Sequence, residues 1–254
     1  MKTLSIDNSA LQSYRDCPRL FWLNHVQEYK PQAENVALLV GREVHEELDK
    51  HYKDEAYTSS HPIVNQYQAN YPRQFDSYWP PVATERHLSH DLGLIQGVSV
   101  TYTGTIDLVV NKRIIDHKTG GNIWYHKSSY GLEHQMSGYR FLWAKTQGEV
   151  FDHYEINSIG TKPDKSGRYP FDRNTFNFTR GLDEIEVELR TWIEKLILDF
   201  QMRRLDASPN YGHCQKYNGC AFLNVCKALT PESKADNLSM SFKQESWKGF
   251  AFTS

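Results

Sequence analysis

Two stretches of the sequence repeat apolar residues at the spacing of an amphipathic helix. Within residues 36–53, Val44, Leu48 and Tyr52 recur every four positions, and the residues between them are mostly charged. Such spacing places one apolar stripe along a helix. Residues 182–204 repeat the pattern over a longer span, with large apolar side chains at Ile185, Leu189, Trp192, Ile193, Leu196 and Phe200. The pattern predicts two long helices, each with one buried face.

Shorter apolar runs predict strands on either side of a tight turn. Residues 106–110 and 114–115 are apolar and flank Asn111-Lys112, and asparagine suits the positive φ of a two-residue hairpin turn. This turn pairs Val110 with Arg113 and places Asp107 opposite Asp116. Their Cβ atoms would lie roughly 5 Å apart on one face of the sheet.

The opposed carboxylates indicate a metal site. Like charges placed opposite each other repel, whereas a hard divalent cation such as Mg²⁺ between Asp107 and Asp116 would remove the repulsion. Lys118 lies two residues beyond Asp116, so the period of a strand directs its ammonium group to the same face. The alternative is a surface hairpin that carries two solvated acids.

Further apolar runs over residues 82–88, 94–102 and 151–160 also predict strands, which gives a meander of three or four strands around the hairpin. Glu85 lies on the first of these runs. A single glutamate on a strand is most often a solvated side chain, and we expect this of Glu85.

In two predicted helices, a pair of residues separated by four positions shares one face. Gly41 and His45 share a face of the helix predicted over 36–53, and Gln135 and Tyr139 share a face of a helix predicted over 131–145. Taken alone, a histidine beside an apolar stripe and a face of glutamine and tyrosine are typical of ordinary packing.

Composition narrows the class of protein. The 254 residues are 39% hydrophobic and 24% charged, as in soluble globular proteins. The sequence shows neither a long apolar run nor a signal-like N-terminus, so we expect a cytoplasmic protein without a membrane partner. The formal net charge of -2 excludes a uniformly basic surface but leaves room for a local basic groove.

The four cysteines form a pattern that indicates a metal or an iron–sulfur cluster. Cys17 ends a short helix that is capped within residues 7–9, and Cys214, Cys220 and Cys226 follow at five-residue gaps near the other end of the chain. A reducing cytoplasm disfavours disulfides. Structural zinc sites usually have more closely paired cysteines than these. Four unconnected core cysteines are the alternative.

Together these motifs resemble the RecB-like PD-(D/E)xK nucleases that carry an iron–sulfur cluster. That group includes the exonuclease of CRISPR adaptation and the nuclease domains of helicase–nuclease complexes. The matching motifs, in order, are S-x-L-x-x-Y-x-x-C-P-x-x-F around Cys17, Gly41-x-x-x-His45, Gly104 to Asp107, Asp116-His-Lys118, Gln135-x-x-x-Tyr139 and the cysteine triplet. One departure concerns the triplet, because its first gap is five residues, whereas relatives often have two.

The resemblance implies an α/β fold of the restriction-endonuclease type, with a central mixed sheet flanked by helices. It also implies one nuclease domain over residues 1–254, in which residues 36–160 form the catalytic core. Residues 4–30 and 205–230 would be helical elements joined by the four-cysteine cluster. Residues 231–254 would be a polar tail, partly disordered except for its aromatic residues Trp247, Phe250 and Phe252.

The resemblance also assigns roles to residues. It implies one or two Mg²⁺ or Mn²⁺ ions held by His45, Asp107, Asp116 and the backbone carbonyl of His117. In some relatives an acidic residue near the position of Glu85 adds to the site. It implies that Lys118 positions the attacking water and that Gln135 and Tyr139 orient the metal shell or the bound strand. The cofactor held by Cys17, Cys214, Cys220 and Cys226 would be a 4Fe–4S cluster, with Zn²⁺ as the alternative.

The activity implied by the resemblance is that of a metal-dependent DNA exonuclease of recombination, repair or phage replication. DNA, as single strands or duplex ends, would be the main partner, alongside replication, recombination or CRISPR-adaptation proteins. One alternative is a nucleic-acid-binding subunit that keeps the fold without cutting. A metal-dependent hydrolase of another substrate class is a weaker one.

Overall fold

The computed structural model describes residues 2–33, 35–124, 134–206, 209–214, 219–245 and 250–253. Residue contacts divide the chain into two compact units. The first unit consists of Met1–Glu34, Ser89–Thr103 and Asp183–Ser254, and the second consists of Asn35–Leu88 and Gly104–Leu182. A single nuclease domain over the whole chain stays a prediction.

The helices of the described residues range from four to twenty residues in length. They are α1 Asn8–Asp16, α2 Pro18–Phe21, α3 Val36–Lys53, α4 Pro62–Asn70, α5 His134–Gln147, α6 Leu182–Gln201, α7 Leu223–Lys227 and α8 Pro231–Ser241. A π-helical turn at Trp22–Val26 continues α2. Among the described helices, none combines the length and apolar character needed to span a bilayer.

The strands form a mixed sheet and a small two-stranded sheet. They are β1 Lys2–Asp7, β2 Tyr29–Pro31, β3 Ala83–Ile95, β4 Val98–Val110, β5 Arg113–Gly120, β6 His153–Gly160, β7 Phe171–Asn177, β8 Phe242–Gln244 and β9 Phe250–Thr253. In the second unit, β5 pairs antiparallel with β4 and parallel with β6, and β7 pairs antiparallel with β6. The predicted α/β class with a mixed sheet and flanking helices is confirmed.

The apolar stripe of α3 forms much of the core of the second unit. Val44, Leu48 and Tyr52 are buried, as predicted, and they belong to one cluster with the hairpin residues Leu108 and Ile115. Full burial of one such side chain contributes about 2 kcal/mol. This packing fixes α3 against the hairpin and so fixes the direction of the next side chain on the helix, that of His45.

The central hairpin has the predicted turn and three of the four predicted cross-strand pairs, while the pairing of Asp107 with Asp116 stays a prediction. Asn111 and Lys112 adopt φ values of 45° and 60°, as a type I′ turn requires. The cross-strand pairs are Val110–Arg113, Val109–Ile114 and Leu108–Ile115. Asp107 therefore lies one position beyond the last of these pairs, beside the middle of β5.

In the first unit, α1 begins where the sequence predicts. The Asp7 side chain accepts a hydrogen bond from the Ala10 amide at 2.7 Å, which caps the helix. β1 pairs in parallel with β4 and antiparallel with β9, and β2 pairs with β8. Most of the predicted apolar face of α6 is buried, namely Ile185, Leu189, Ile193 and Leu196.

The expectation of a partly disordered tail is wrong for residues 231–245. Thr230 caps α8 by accepting a hydrogen bond from the Ser233 amide at 3.2 Å, and β8 and β9 pair with strands from the start of the chain. These pairing strands lie more than 200 residues earlier in the sequence. The polar sequence of the tail alone therefore does not reveal its structure. Trp247 and residues 131–133 of the predicted helix lie outside the described residues.

Candidate metal centre and active site

Three side chains from three elements meet beside the central hairpin. His45 on α3 places its Nδ1 atom 3.6 Å from Asp107 Oδ2 and 3.9 Å from Glu85 Oε1. One donor atom from each of the three residues lies within 4.8 Å of the other two. An imidazole and two carboxylates at this spacing can share a single divalent ion.

The expectation that Glu85 is an ordinary solvated side chain is wrong. Its side chain is 32% exposed, and its backbone has a φ of 41° within β3. Residues other than glycine rarely adopt such values, and this kind of strain persists where the surrounding structure fixes it, often in functional sites. No local sequence signal announces a positive φ at a glutamate, so the pattern of the strand alone gave no reason to include Glu85.

The neighbouring strand holds Asp107 in place. The backbone N–H of His117 on β5 donates a hydrogen bond to Asp107 Oδ2 at 2.7 Å. The same oxygen faces His45. The hairpin therefore orients one carboxylate of the site through the main chain of the strand that carries the other carboxylate, Asp116.

A continuous run of polar contacts leads from Asp116 to α5. The side chain of Asp116 is only 1% exposed, and its Oδ2 lies 2.8 Å from Lys118 Nζ. Lys118 donates to Gln135 Oε1 at 2.9 Å, and Gln135 Nε2 donates to the Tyr139 hydroxyl at 2.8 Å. The four side chains that the sequence predicts to act together are thus in contact, although their catalytic roles stay predictions.

Gly104 allows α5 to approach the sheet closely. A Cβ atom at this position would lie 2.8 Å from Leu142 Cδ1 and 3.3 Å from Tyr139 Cε1, which is closer than packed carbon atoms sit. A side chain at residue 104 would therefore force the side chains of Leu142 and Tyr139 on α5 to move. Glycine here therefore keeps Gln135 and Tyr139 over the site.

Burial dominates the electrostatics of the carboxylates. It raises the pKa of Glu85 to about 8, and the negative charge of Asp107 adds to the effect. Burial and then the charge of Asp116 also raise the pKa of Asp107, while His45 lowers it. A divalent cation relieves this crowding because it stabilises the ionised form of each carboxylate.

The donor set fits Mg²⁺ or Mn²⁺. Within the described residues, the buried Oδ2 atom of Asp116 accepts no hydrogen bond, because its close ion pair with Lys118 lacks the required alignment. Such an oxygen keeps its lone pairs for a metal ion. Oxygen donors and one imidazole are the ligands that these hard cations bind. The carbonyl of His117 as a further ligand stays a prediction.

A cavity of about 590 Å³ opens beside the candidate ligands. His45, Glu85, Arg42 and Thr119 are among its lining residues, and its volume is typical of ligand sites. A larger cavity of about 690 Å³ lies between α4 and residues 162–171 and contains none of the candidate ligands. The smaller cavity is therefore the one that can bring a substrate to the site.

The ring of His117 lies behind the site. It stacks on Tyr52 with ring centroids 6.2 Å apart and meets the ring of His45 edge-on at 5.9 Å. Burial lowers the pKa of His117 well below its ordinary value, and the positive charges of His45 and Arg173 lower it further. This imidazole is therefore neutral at neutral pH.

The structure gathers the four cysteines within the first unit, where all are free thiols. Burial raises the pKa of Cys220, and the charges of Cys214, Cys226 and Cys17 raise it further. The Asn210 amide donates to Cys17 Sγ at 3.2 Å. Within the described residues, no three of these sulfur atoms lie within 4.8 Å of one another, and a four-cysteine cluster that joins the two ends of the chain stays a prediction.

Three solved structures show weak similarity to the chain. The alkaline exonuclease LHK-Exo from Laribacter hongkongensis aligns with 69% of this chain and 76% of its own, at 17% identity and a TM-score of 0.36. The complex of LHK-Exo with dAMP aligns over 79% and 89%, at 14% identity and a TM-score of 0.39. The structure of SSO0001 aligns with 48% of this chain at 17% identity and a TM-score of 0.29, and the chain spans half the length of that protein.

The family assignment rests on a stronger match. A comparison with curated proteins finds no match, but the model of the PD-(D/E)XK nuclease superfamily matches residues 60–227, more than half of the chain. The matched range contains Glu85, Asp107, Asp116 and Lys118, the acids and the amine that the geometry groups together. The chain therefore belongs to the PD-(D/E)XK nuclease superfamily.

Proposed function

We propose that this protein is a metal-dependent exonuclease that hydrolyses phosphodiester bonds in DNA. The observation that carries the proposal is the convergence of His45, Glu85 and Asp107 within 4.8 Å, beside the Asp116–Lys118 pair. Carboxylates are costly to bury close together, and a bound divalent ion offsets this cost. Exonuclease action rests on the resemblance of the motifs to RecB-like nucleases.

Four side chains would hold one or two Mg²⁺ or Mn²⁺ ions: His45, Asp107, Asp116 and, beyond the motif residues, Glu85. A bound ion supplies a Lewis acid that polarises the scissile phosphate and lowers the pKa of a bound water. The protein's part is to hold the carboxylates in position for the ion. The hydrogen bond from His117 to Asp107 Oδ2 does this for one of them.

Lys118 supplies positive charge where the reaction develops negative charge. Its ammonium is held between Asp116 Oδ2 at 2.8 Å and Gln135 Oε1 at 2.9 Å, so it does not have to reorganise during the reaction. A preorganised cation of this kind stabilises a transition state more than the ground state. Gln135 and Tyr139 act through Lys118, since their mutual hydrogen bond fixes the oxygen that Lys118 contacts.

The direct test compares open and closed DNA. We expect the purified protein with Mn²⁺ to degrade end-labelled linear DNA to short products and to leave a circular single strand of the same sequence intact. Chelation with EDTA should stop the reaction. Cutting of the circle at a similar rate would replace exonuclease by endonuclease action, and a failure to cut any DNA with either metal would overturn the proposal.

We further propose that Cys17, Cys214, Cys220 and Cys226 hold a structural 4Fe–4S cluster. Two observations support it: the other three cysteines raise the pKa of Cys220, and the backbone N–H of Asn210 donates a hydrogen bond to Cys17 Sγ. Hydrogen bonds to cluster sulfurs are usual. Zinc would require sulfur atoms roughly 3.8 Å apart at its usual bond length. Anaerobically purified protein should be brown, with about four iron and four sulfide per chain. A colourless protein with one zinc would favour the alternative.

A further inference from the structure

A chain of buried hydrogen bonds begins at Asp76 in the second unit. Its carboxylate pairs with the Arg173 guanidinium at 2.7 Å, and its side chain is fully buried. As the partner of this cation, the Asp76 carboxylate acts as a hydrogen-bond acceptor. The Tyr52 hydroxyl lies 3.2 Å from Asp76 Oδ2, so Tyr52 must donate its single proton to Asp76.

The donation by Tyr52 fixes the next bond. Tyr52 and Tyr67 place their hydroxyl oxygens 3.0 Å apart. Because the proton of Tyr52 is already committed to Asp76, Tyr67 must donate to Tyr52. The oxygen of Tyr67 is then an acceptor for its other neighbours. Arg173 Nη2 donates to it at 2.6 Å, in agreement with this order.

The same order fixes the amide of Asn157. Asn157 must present its Nδ2 atom to the Tyr67 oxygen, which lies 3.0 Å away. That nitrogen also lies 2.8 Å from His117 Nδ1. A donor on the amide side requires an acceptor on the ring, so His117 carries its proton on Nε2. In this orientation, Asn157 Oδ1 is buried and has no hydrogen-bond donor among the described residues. The opposite orientation would instead leave two N–H groups of the amide unpaired.

We propose that this hydrogen-bond order locks His117 in the Nε2–H tautomer and makes Asn157 a positioning residue for the metal centre. The locked ring belongs to the residue between Asp116 and Lys118. The backbone N–H of the same residue holds Asp107 Oδ2 at 2.7 Å. Asn157 thereby fixes a strand segment that carries one carboxylate of the site, Asp116, and that holds a second, Asp107, through a backbone N–H. The effect on metal binding rests on the proposed function, whereas the tautomer does not.

The tautomer can be read directly from the ring nitrogens. In ¹⁵N-histidine-labelled protein, with the His117 signals assigned by a His117→Gln variant, we expect an unprotonated Nδ1 and a protonated Nε2. Asn157→Asp offers only acceptors to the ring and should reverse the tautomer. Tyr67→Phe removes the oxygen that orients the amide and should give a mixture of both forms.

Metal affinity provides the second measurement. Loss of an outer partner of a metal site typically weakens binding 10–100-fold, and we expect Mn²⁺ binding in calorimetry to weaken by about tenfold in Tyr67→Phe and Asn157→Asp. Tyr78→Phe is the matched control. It also loses a buried hydroxyl bond, the one to Glu155, but this hydroxyl lies outside the chain of bonds. The variant keeps the backbone N–H that donates to Asp76 Oδ1 and should keep both the tautomer and the affinity. Thermal melting checks that each variant folds.

Three results would overturn the inference or part of it. A wild-type protein with the proton on Nδ1 contradicts the hydrogen-bond order, even if no variant can be purified. An unchanged Mn²⁺ affinity in a variant whose tautomer has changed contradicts the positioning role. Equal weakening in Tyr78→Phe contradicts it as well. A protein that shows the expected tautomer and affinities but does not cut DNA would leave this inference standing and remove the proposed function.

Discussion

Binding of Mn²⁺ should depend on pH through Glu85. Burial, reinforced by Asp107, raises the pKa of Glu85 to about 8 in the metal-free protein, so at pH 7 most molecules carry a proton on this carboxyl. The carboxyl must lose that proton before it can bind a metal ion. Affinity should therefore rise with pH up to about 8 and level off above it.

The size of the effect follows from this pKa. One competing proton with a pKa of about 8 reduces the binding-competent fraction by a factor of roughly 80 between pH 8.5 and pH 6. The raised pKa of Asp107 adds to the loss at the acidic end. Glu85→Gln removes the main competing proton, so the same pH change should alter its weaker Mn²⁺ affinity by less than about tenfold.

Calorimetric titration with Mn²⁺ at pH 6, 7, 8 and 8.5 measures both curves. Repeating the pH 7 titration in two buffers of different ionisation heat counts the protons released, which should number about one per ion. Glu46→Gln is the matched control, because Glu46 lines the same cavity but lies outside the close triad. Its affinity should keep the wild-type dependence on pH.

Two results would refute this reasoning. One is a wild-type affinity that stays constant from pH 6 to 8.5, and the other is a full pH dependence in Glu85→Gln.

The stability of the metal-free protein gives an independent check. The pKa of Glu85 is about 8 in the folded protein and an ordinary 4.5 in an unfolded chain, so its contribution to stability falls as the pH rises from about 4.5 to about 8 and changes little above that. In EDTA, the free energy of unfolding should be higher at pH 6 than at pH 8.5, by at most about 2 kcal/mol.

Three further changes test other parts of the site. Lys118→Met should lower kcat by about 100-fold or more while the protein still binds Mn²⁺ in calorimetry; normal kcat would remove Lys118 from the mechanism. Gly104→Ala should cost about 1–3 kcal/mol in urea unfolding, since its Cβ would meet Leu142 at 2.8 Å, and an unchanged stability would contradict the close approach. Cys17→Ser should lose bound iron or zinc in metal analysis and melt at lower temperature, and full metal content would contradict its role as a ligand.

The parts of the fold that the sequence predicts are those with strong local signals. The four-residue spacing of Val44, Leu48 and Tyr52 gives the long helix and its buried face, because burial requires an unbroken apolar stripe. The turn at Asn111-Lys112 gives the register of the hairpin, because only positive φ values close a two-residue turn. These two elements carry His45, Asp107 and Asp116. Spacing alone indicates a metal site only for the two aspartates, and His45 joins them through the resemblance to RecB-like nucleases.

The missed features depend on contacts between distant parts of the chain. β1 was not predicted because Lys2–Asp7 contains only two buried apolar residues, Leu4 and Ile6, beside a helix cap. Its partners Val98–Val110 and Phe250–Thr253 lie far away in sequence. The solvated side chain expected of Glu85 is wrong because a strained backbone brings its carboxylate to the site. A positive φ at this residue depends on its surroundings and leaves no periodic signal.

Cleavage of end-labelled DNA by wild-type protein and by Asp116→Asn, each with Mn²⁺, tests the central claim most directly. Asparagine has nearly the same shape as the aspartate, so the fold should persist, as circular dichroism can verify. The charge that offsets a metal ion in this buried position is lost. We predict Mn²⁺-dependent cleavage by the wild type and a loss of at least about a thousandfold in the variant. Equal rates from both folded proteins would contradict the assignment of this hairpin as the metal-binding centre of a nuclease.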